Sequence, residues 1–334
     1  MNANKNGHLP RTAVHAGLVA LLCLALQLQA GINVGTYYTD HDEVRLRFTG
    51  DEPAYRTDLL LGGDLLATFF QQPQMFQLGG LERDQSYTFV LKRYNWNEDQ
   101  WVLVESRNHV VSTSLVQGTL DTDTTWTGET NNIGTLTLLG ATLTVHGGSL
   151  NGGRITIGGA SNAPANRLTI EEATVGGVEI TVGFSELKNE ELHITGCVLG
   201  EVDLVGVRLA SFSGNTQQAG SSDAAAIIAH LVDPIDIHDN VGLFVWHLEP
   251  DANAAGLIQF RNNLGNGILR LLVRGGCAFS AVNNELNLLH VEGEKIYDEY
   301  DQFLGYVPIT QGVYTVRNNT ISLGQEAHEN AALL

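Results

Sequence analysis

One short motif returns along most of the chain after residue 118, and it decides what this chain can fold into. The motif is apolar, any, apolar, any, any, then a small residue or asparagine. It reads Leu168-Thr-Ile-Glu-Glu-Ala173, and Leu192-His-Ile-Thr-Gly-Cys197 follows at an offset of 24. Further copies are Leu136-Thr-Leu-Leu-Gly-Ala141, Ala210-Ser-Phe-Ser-Gly-Asn215, Ile235-Asp-Ile-His-Asp-Asn240, Ile258-Gln-Phe-Arg-Asn-Asn263, Phe279-Ser-Ala-Val-Asn-Asn284 and Tyr314-Thr-Val-Arg-Asn-Asn319. Their last positions are separated by 18 to 35 residues and by about 25 on average. A repeat of that length is one turn of a solenoid, which buries its apolar face only against the turns beside it.

Asn215, Asn240, Asn263, Asn284 and Asn319 share one position in successive turns. In a parallel coil the rungs lie roughly 4.8 Å apart, so each side-chain amide reaches the carbonyl of the next. Groups that would be buried without partners are thereby satisfied, and the ladder sets the register. Apolar strands resume about five residues beyond several ladder positions, at 178–182, 202–205 and 268–273, so the ladder residue marks a corner. Glycine, at 37 of 334 residues, together with abundant Thr, Val, Ile and Leu, favours strands and turns. The expectation is an all-β protein.

Strands, glycine-rich corners and an asparagine ladder over residues 118–323 resemble the right-handed parallel β-helix of pectate-lyase-like carbohydrate-active and surface proteins. The resemblance implies a fold. It implies no activity, because lyases, hydrolases, epimerases and adhesins share the scaffold. The acidic, Gly-His-Gly and Arg-x-Lys motifs of the polygalacturonase-like branch have no counterpart here, so no catalytic residue carries over.

Residues 31–115 follow a different pattern. Val44, Leu46 and Phe48 alternate with Arg45 and Arg47, and Tyr87, Phe89 and Leu91 alternate with Thr88, Val90 and Lys92. Both segments read as half-buried antiparallel strands. The turn Gly79-Gly80-Leu81-Glu82-Arg83-Asp84-Gln85-Ser86 leads to Tyr87 near a strand start, the arrangement of a tyrosine corner. With Trp101–Glu105 and the closing Val110-Val111-Ser112-Thr113, this resembles a fibronectin type III domain of the immunoglobulin-like sandwich class. Phe48 or Leu46 stands where such domains carry an early-strand tryptophan. The resemblance implies a spacer or binding module.

Residues 1–30 read as a secretion signal. Lys5 and Arg11 precede the apolar run Ala16 to Leu26, which is too short to span a bilayer and ends at Ala30. Its removal discards Cys23 and changes the formal charge from −19 to −21. The expected location is secreted or cell-surface, with no transmembrane segment left and a short tail at 324–334. So acidic a chain is no partner for nucleic acid or an anionic membrane. Cys197 and Cys277 allow at most one disulfide, and buried small side chains are the simpler reading.

Chemistry must come from the residues between the apolar pair, which point out of the coil. That column includes His193, Ser211, Asp236, His238, Gln259 and Arg261. On neighbouring rungs Asp236 and Arg261 are diagonal partners, and with His238 they form the one grouping suited to holding a uronic acid and moving a proton. Gln259 belongs to the same ligand-binding face. The stretch 292–311 adds Tyr297, Tyr300 and Tyr306 on what should be a loop, rings suited to stacking on sugars. Calcium is suggested by Asp121 and Asp123, by Asp233, Asp236 and Asp239, and by Glu292, Glu294, Asp298, Glu299 and Asp301, but no Asp-x-Asp-x-Asp-Gly loop is present. No metal site or other cofactor is expected. The reading is an exported non-catalytic structural or binding protein that contacts polysaccharide or a surface protein through its coil. The alternative is a polysaccharide lyase or glycoside hydrolase acting on an acidic polysaccharide.

Overall fold

Alternating apolar and polar residues with β-branched side chains form strands, and strand is the only regular structure among the described residues. The computed structural model describes residues 33–49, 56–70, 75–158, 166–183, 190–221, 225–231, 235–250, 257–265, 267–273, 278–293, 295–297, 302–306 and 314–321. The expected signal and C-terminal tail lie outside them. The chain divides into two units, Met1–Thr113 and Ser114–Leu334.

In the first unit Val44–Thr49 pairs antiparallel with Asn33–Thr39 and with Met75–Leu78. A second antiparallel sheet has the order Asp64–Phe69, Arg56–Leu61, Ser86–Asn97, Gln100–Ser112. Val44, Leu46 and Phe48 from one sheet meet Leu59, Phe89, Leu91 and Val111 from the other in one core. Each such Leu or Phe contributes about 1.5–3 kcal/mol by leaving water. The Tyr87 hydroxyl accepts a hydrogen bond from the Glu82 N–H at 2.7 Å, pinning the turn that precedes its strand.

The second unit is a β-solenoid of three stacked parallel columns. The first contains Thr124–Thr127, Thr142–His146, Asn166–Glu171, Glu190–Thr195, the end of Val202–Ser213, Ile235–His238, Leu257–Arg261, Ala278–Val282 and Tyr314–Arg317. A short second column runs from the start of Thr130–Leu138 through Ser149–Asn151, Thr174–Gly176 and Val198–Gly200 to Thr216–Gln217. The third passes through Arg154–Ile157, Glu179–Val182, the start of Val202–Ser213, Ala225–Leu231, Phe244–Pro250, Gly267–Val273 and Glu285–Gly293. Motif residues Leu168, Ile170, Leu192, Ile194, Phe212, Ile237, Phe260 and Phe279 all point inward and are buried.

Each rung turns from the first column to the second through a left-handed residue. In the earlier rungs this is Gly147, Glu172, Gly196 or Gly214, and in the later ones Asp239, Asn262, Asn283 or Asn318 at φ 54–58°. Asparagine and aspartate tolerate this conformation better than other residues with a Cβ. The residue that follows is the ladder residue. Asn215, Asn240, Asn263 and Asn284 each donate from Nδ2 to Oδ1 of the next asparagine at 2.8–3.0 Å, and their backbone N–H groups donate to the same oxygens at 2.9–3.2 Å. Their second Nδ2 proton goes back to a main-chain carbonyl, that of Ile194, Phe212, Ile237 and Phe260 in turn, and Asn319 Nδ2 donates likewise to Ala281. Cys197 completes the row in miniature: its N–H donates to Asn215 Oδ1 and its Sγ to the Ile170 carbonyl at 3.4 Å. Cys197 is a free, buried thiol, so the optional bridge is not made by it; Cys277 lies outside the described residues.

One expected ladder position is displaced. Leu136 and Leu138 pair with Ile155 and Ile157 in the third column, so Ala141 sits at a different corner. The pairing of Thr142–His146 with residues 167–171, and of Ser149 with Thr174, places Gly148 opposite Ala173. A Cβ on Gly148 would stand 2.0 Å from the Glu129 carbonyl oxygen, so the backbones close here without a side chain. The motif misleads because third-column strands alternate in the same way as first-column ones.

Candidate functional site: the outer face of the first column

The outward residues of the first column form two rows, because alternate side chains leave the coil and successive rungs are in register. One row is Thr169, His193, Ser211, Asp236, Gln259, Ser280 and Thr315, polar throughout. The other includes His238, Arg261, Val282 and Arg317, which puts two guanidinium groups on the face of an acidic protein.

Strand pairing sets Asp236 beside Gln259 and His238 beside Arg261. Arg261 crosses the diagonal to Asp236, with Nε 3.0 Å from both carboxylate oxygens and Nη2 2.6 Å from Oδ2. This fork is the strong geometry for a guanidinium and a carboxylate, and the Asp236 hydrogen bond holds Arg261 protonated beyond its already high ordinary value. Nη1 is the part of the guanidinium that this fork does not use. Gln259 lies between Asp236 and Ser280.

His238 is engaged by Asp239, which the sequence groups only with the calcium candidates. Its Nδ1 lies 2.7 Å from Asp239 Oδ2. Asp239 occupies the left-handed corner and also accepts from Asn262 Nδ2 at 3.0 Å. The His238 hydrogen bond, followed by that from Asn262, holds the Asp239 carboxyl below the usual carboxylate range. An ionised carboxylate on Nδ1 makes that nitrogen the proton donor and leaves the lone pair on Nε2, the arrangement of a general base. Asn283 donates in turn to Asn262 Oδ1 at 3.3 Å, so a short outer ladder flanks the buried one. The signal for Asp239 and Asn262 was in the sequence: an Asp or Asn stands immediately before Asn240, Asn263, Asn284 and Asn319.

The segment that carries the tyrosines is partly strand. Lys295–Tyr297 pairs antiparallel with Phe303–Tyr306, so the expected loop contains a hairpin whose strands hold Tyr297 and Tyr306. Tyr300 lies outside the described residues. For calcium, no group of three or more His, Cys, Asp or Glu side chains among the described residues is placed to hold a metal ion. Asp123 Oδ1 instead accepts the Thr142 N–H at 2.7 Å. Asp233, Glu294, Asp298, Glu299 and Asp301 lie outside the described residues. No helix among the described residues is long and apolar enough to cross a membrane.

No protein-family model and no curated protein matches the chain. Among solved structures, a family 28 exopolygalacturonase from Yersinia enterocolitica is similar over 89% of this chain and 87% of its own, at 10% identity and a TM-score of 0.28. Pectate lyase Pel3 from Pectobacterium carotovorum is similar over 86% of this chain and 99% of its own, at 11% identity and a TM-score of 0.22. Pectate lyase PelI from Erwinia chrysanthemi, in complex with tetragalacturonic acid, covers 87% of this chain and 99% of its own, at 12% identity and a TM-score of 0.20. Likeness at this level carries no argument about what the present chain does.

Proposed function

We propose that the protein is exported and acts on an acidic polysaccharide at the outer face of the first column, as a lyase or a hydrolase. The observation that carries this reading is the Asp239–His238 pair standing one strand from Arg261. Elimination from a uronate needs a base at the carbon beside the carboxylate and a cation on the carboxylate itself. His238 Nε2 supplies the base. Arg261, steered by Asp236, offers Nη1 to the sugar carboxylate. The polar row from Thr169 to Thr315 gives a linear, hydroxyl-rich polymer a line of hydrogen-bonding groups to lie along.

The non-catalytic binding reading has its own support in the closed Asp236–Arg261 fork, which already pairs the charges on a half-exposed face. Residues 31–334 incubated with polygalacturonate and with a neutral glucan separate the two. Formation of unsaturated uronate ends, abolished by His238→Ala with the thermal midpoint retained, supports catalysis. Retention of polygalacturonate without shortening supports binding alone, and neither retention nor shortening removes both readings.

The first unit is assigned to the fibronectin type III kind on the strength of its two facing antiparallel sheets and the Tyr87–Glu82 bond. Export rests on residues 1–30, and a mature N-terminus near Gly31 is the expected result of sequencing secreted protein. Recovery of intact Met1 outside the cell would overturn it.

A further inference from the structure

On the same outer face, on the two rungs before Asp236, three side chains that take no part in the proposed proton transfer at His238 are joined in series. The Ser211 hydroxyl lies 3.0 Å from His193 Nδ1. The opposite ring nitrogen, Nε2, lies 3.4 Å from Glu191 Oε2. That carboxylate is held in turn by Arg167, with Nε at 3.1 Å and Nη2 at 2.7 Å. His193 and Ser211 meet because the Glu190–Thr195 strand and the end of Val202–Ser213 are neighbours in register, while Glu191 and His193 share a face two residues apart.

A local irregularity aims the serine. Leu192 pairs with Leu209 but His193 pairs with Ser211, so Ala210 is an extra residue in the strand. Leu209 and Phe212 are both buried, and Ala210 and Ser211 therefore both lie on the outer side. Bulges re-aim side chains and break the regular ladder, and they gather beside active sites.

We propose that Ser211, His193 and Glu191 form an acyl-transfer site that hydrolyses small carboxylic esters, such as acyl groups borne on the hydroxyls of a polysaccharide. A nucleophile, a base in hydrogen-bond reach and a third group orienting the base are what the reaction requires. His193 Nδ1 takes the Ser211 proton as Oγ bonds to the ester carbonyl carbon. The carbon–oxygen bond to the alcohol then breaks, and the alcohol leaves with the proton from His193. Water attacks the acyl-serine, gives its proton to His193, and releases the carboxylic acid as Ser211 recovers its hydrogen. Glu191 is a positioning residue. Burial alone would push its carboxyl up, but hydrogen bonds from Arg167 and His193 prevail and keep it below the ordinary value. The adjoining Thr169, Thr195 and Ser213 are small and polar, which suits a short acyl group on a hydroxylated chain.

The test uses residues 31–334 with p-nitrophenyl acetate, and a fluorophosphonate probe followed by peptide mass spectrometry. Expected are ester hydrolysis and probe attachment at Ser211, with Ser211→Ala and His193→Ala each lowering the rate at least about 100-fold at an unchanged thermal midpoint. Glu191→Gln, which can no longer accept from His193 as a carboxylate, should lower kcat for p-nitrophenyl acetate about 10-fold with KM and the thermal midpoint retained, and Glu191→Asp should recover part of the loss. A merely structural Glu191 would move the thermal midpoint and leave kcat of the folded protein in place. Absence of both hydrolysis and labelling in folded protein overturns the proposal, as does wild-type hydrolysis by Ser211→Ala. Ester hydrolysis without polygalacturonate cleavage removes the lyase or hydrolase reading and leaves this one standing. Cleavage without ester hydrolysis does the reverse.

Discussion

The early and late rungs of the solenoid make the same turn by different means. Around Gly148 and Ala173 the corner closes because side chains are small or missing, and backbones touch where a Cβ would collide. From Asn215 onward it closes through amides that satisfy one another from rung to rung. The interiors differ as well. Leu143, Val145, Leu168, Ile170, Leu192 and Ile194 fill the early first column, whereas Phe212, Phe244, Trp246 and Phe260 make edge-on and tilted ring contacts at 4.8–5.8 Å in the later coil. Close steric approach and hydrogen bonding are thus interchangeable solutions to one geometrical demand, and each fails in its own way.

Asn263→Leu should show the largest effect. It leaves the buried N–H and one of the two Nδ2 protons of Asn240 without an acceptor, and at roughly 1–3 kcal/mol per lost bond the cost is about 2–6 kcal/mol. Urea unfolding measures it; an unchanged midpoint breaks the comparison, because the late corners would then not depend on their amides. Gly148→Ala is the matching early-rung test. Overpacking against Glu129, added to strain at φ +70°, should cost about 2–4 kcal/mol. A neutral result would mean that the early corners are slack.

Asn283→Ala removes a side chain suited to the left-handed corner and should cost about 1–2 kcal/mol, whereas Asn283→Gly should cost less. If both cost the same, the corner conformation is not what selects asparagine there. Smallest are the surface pairs, and these should not distinguish the two regions. Asp236→Asn in the late rungs and Arg167→Met in the early ones should each cost no more than about 1 kcal/mol, shrinking in high salt. The Glu191 share has a definite pH sign. Its folded carboxyl is held below the ordinary value of 4.5, so the contribution is full above that pH and disappears as pH falls through the lowered folded value. Arg167→Met should flatten that part of the stability–pH curve, and a curve unaltered by the substitution would detach the pair from folding.

Legibility in the sequence follows the same division. The late rungs announce themselves, because a buried amide needs its partner at one position and no other polar residue replaces it cheaply. The early corners are written in glycine and alanine, which also mark ordinary turns, and so Ala141 was read where Gly148 belongs. At the site, the Asp236–Arg261 diagonal was readable because strand register converts sequence offset into distance. Asp239 was signalled only by its place before Asn240, since a residue in a corner follows neither the inward nor the outward alternation. The Ala210 bulge was equally hidden: a single extra residue leaves the apolar pattern of Leu209 and Phe212 plausible at either register.

Rung length varies from 18 to 35 residues between ladder positions, yet the ladder never breaks. The longest rung, Asn284 to Asn319, takes its extra length between a third-column strand and the next first-column strand, from Gly293 to Tyr314. The asparagine row therefore acts as a clamp that makes this one edge of the coil a port for insertion. New chain can be spliced there, a foreign epitope or an added module, while every rung on either side keeps its neighbour.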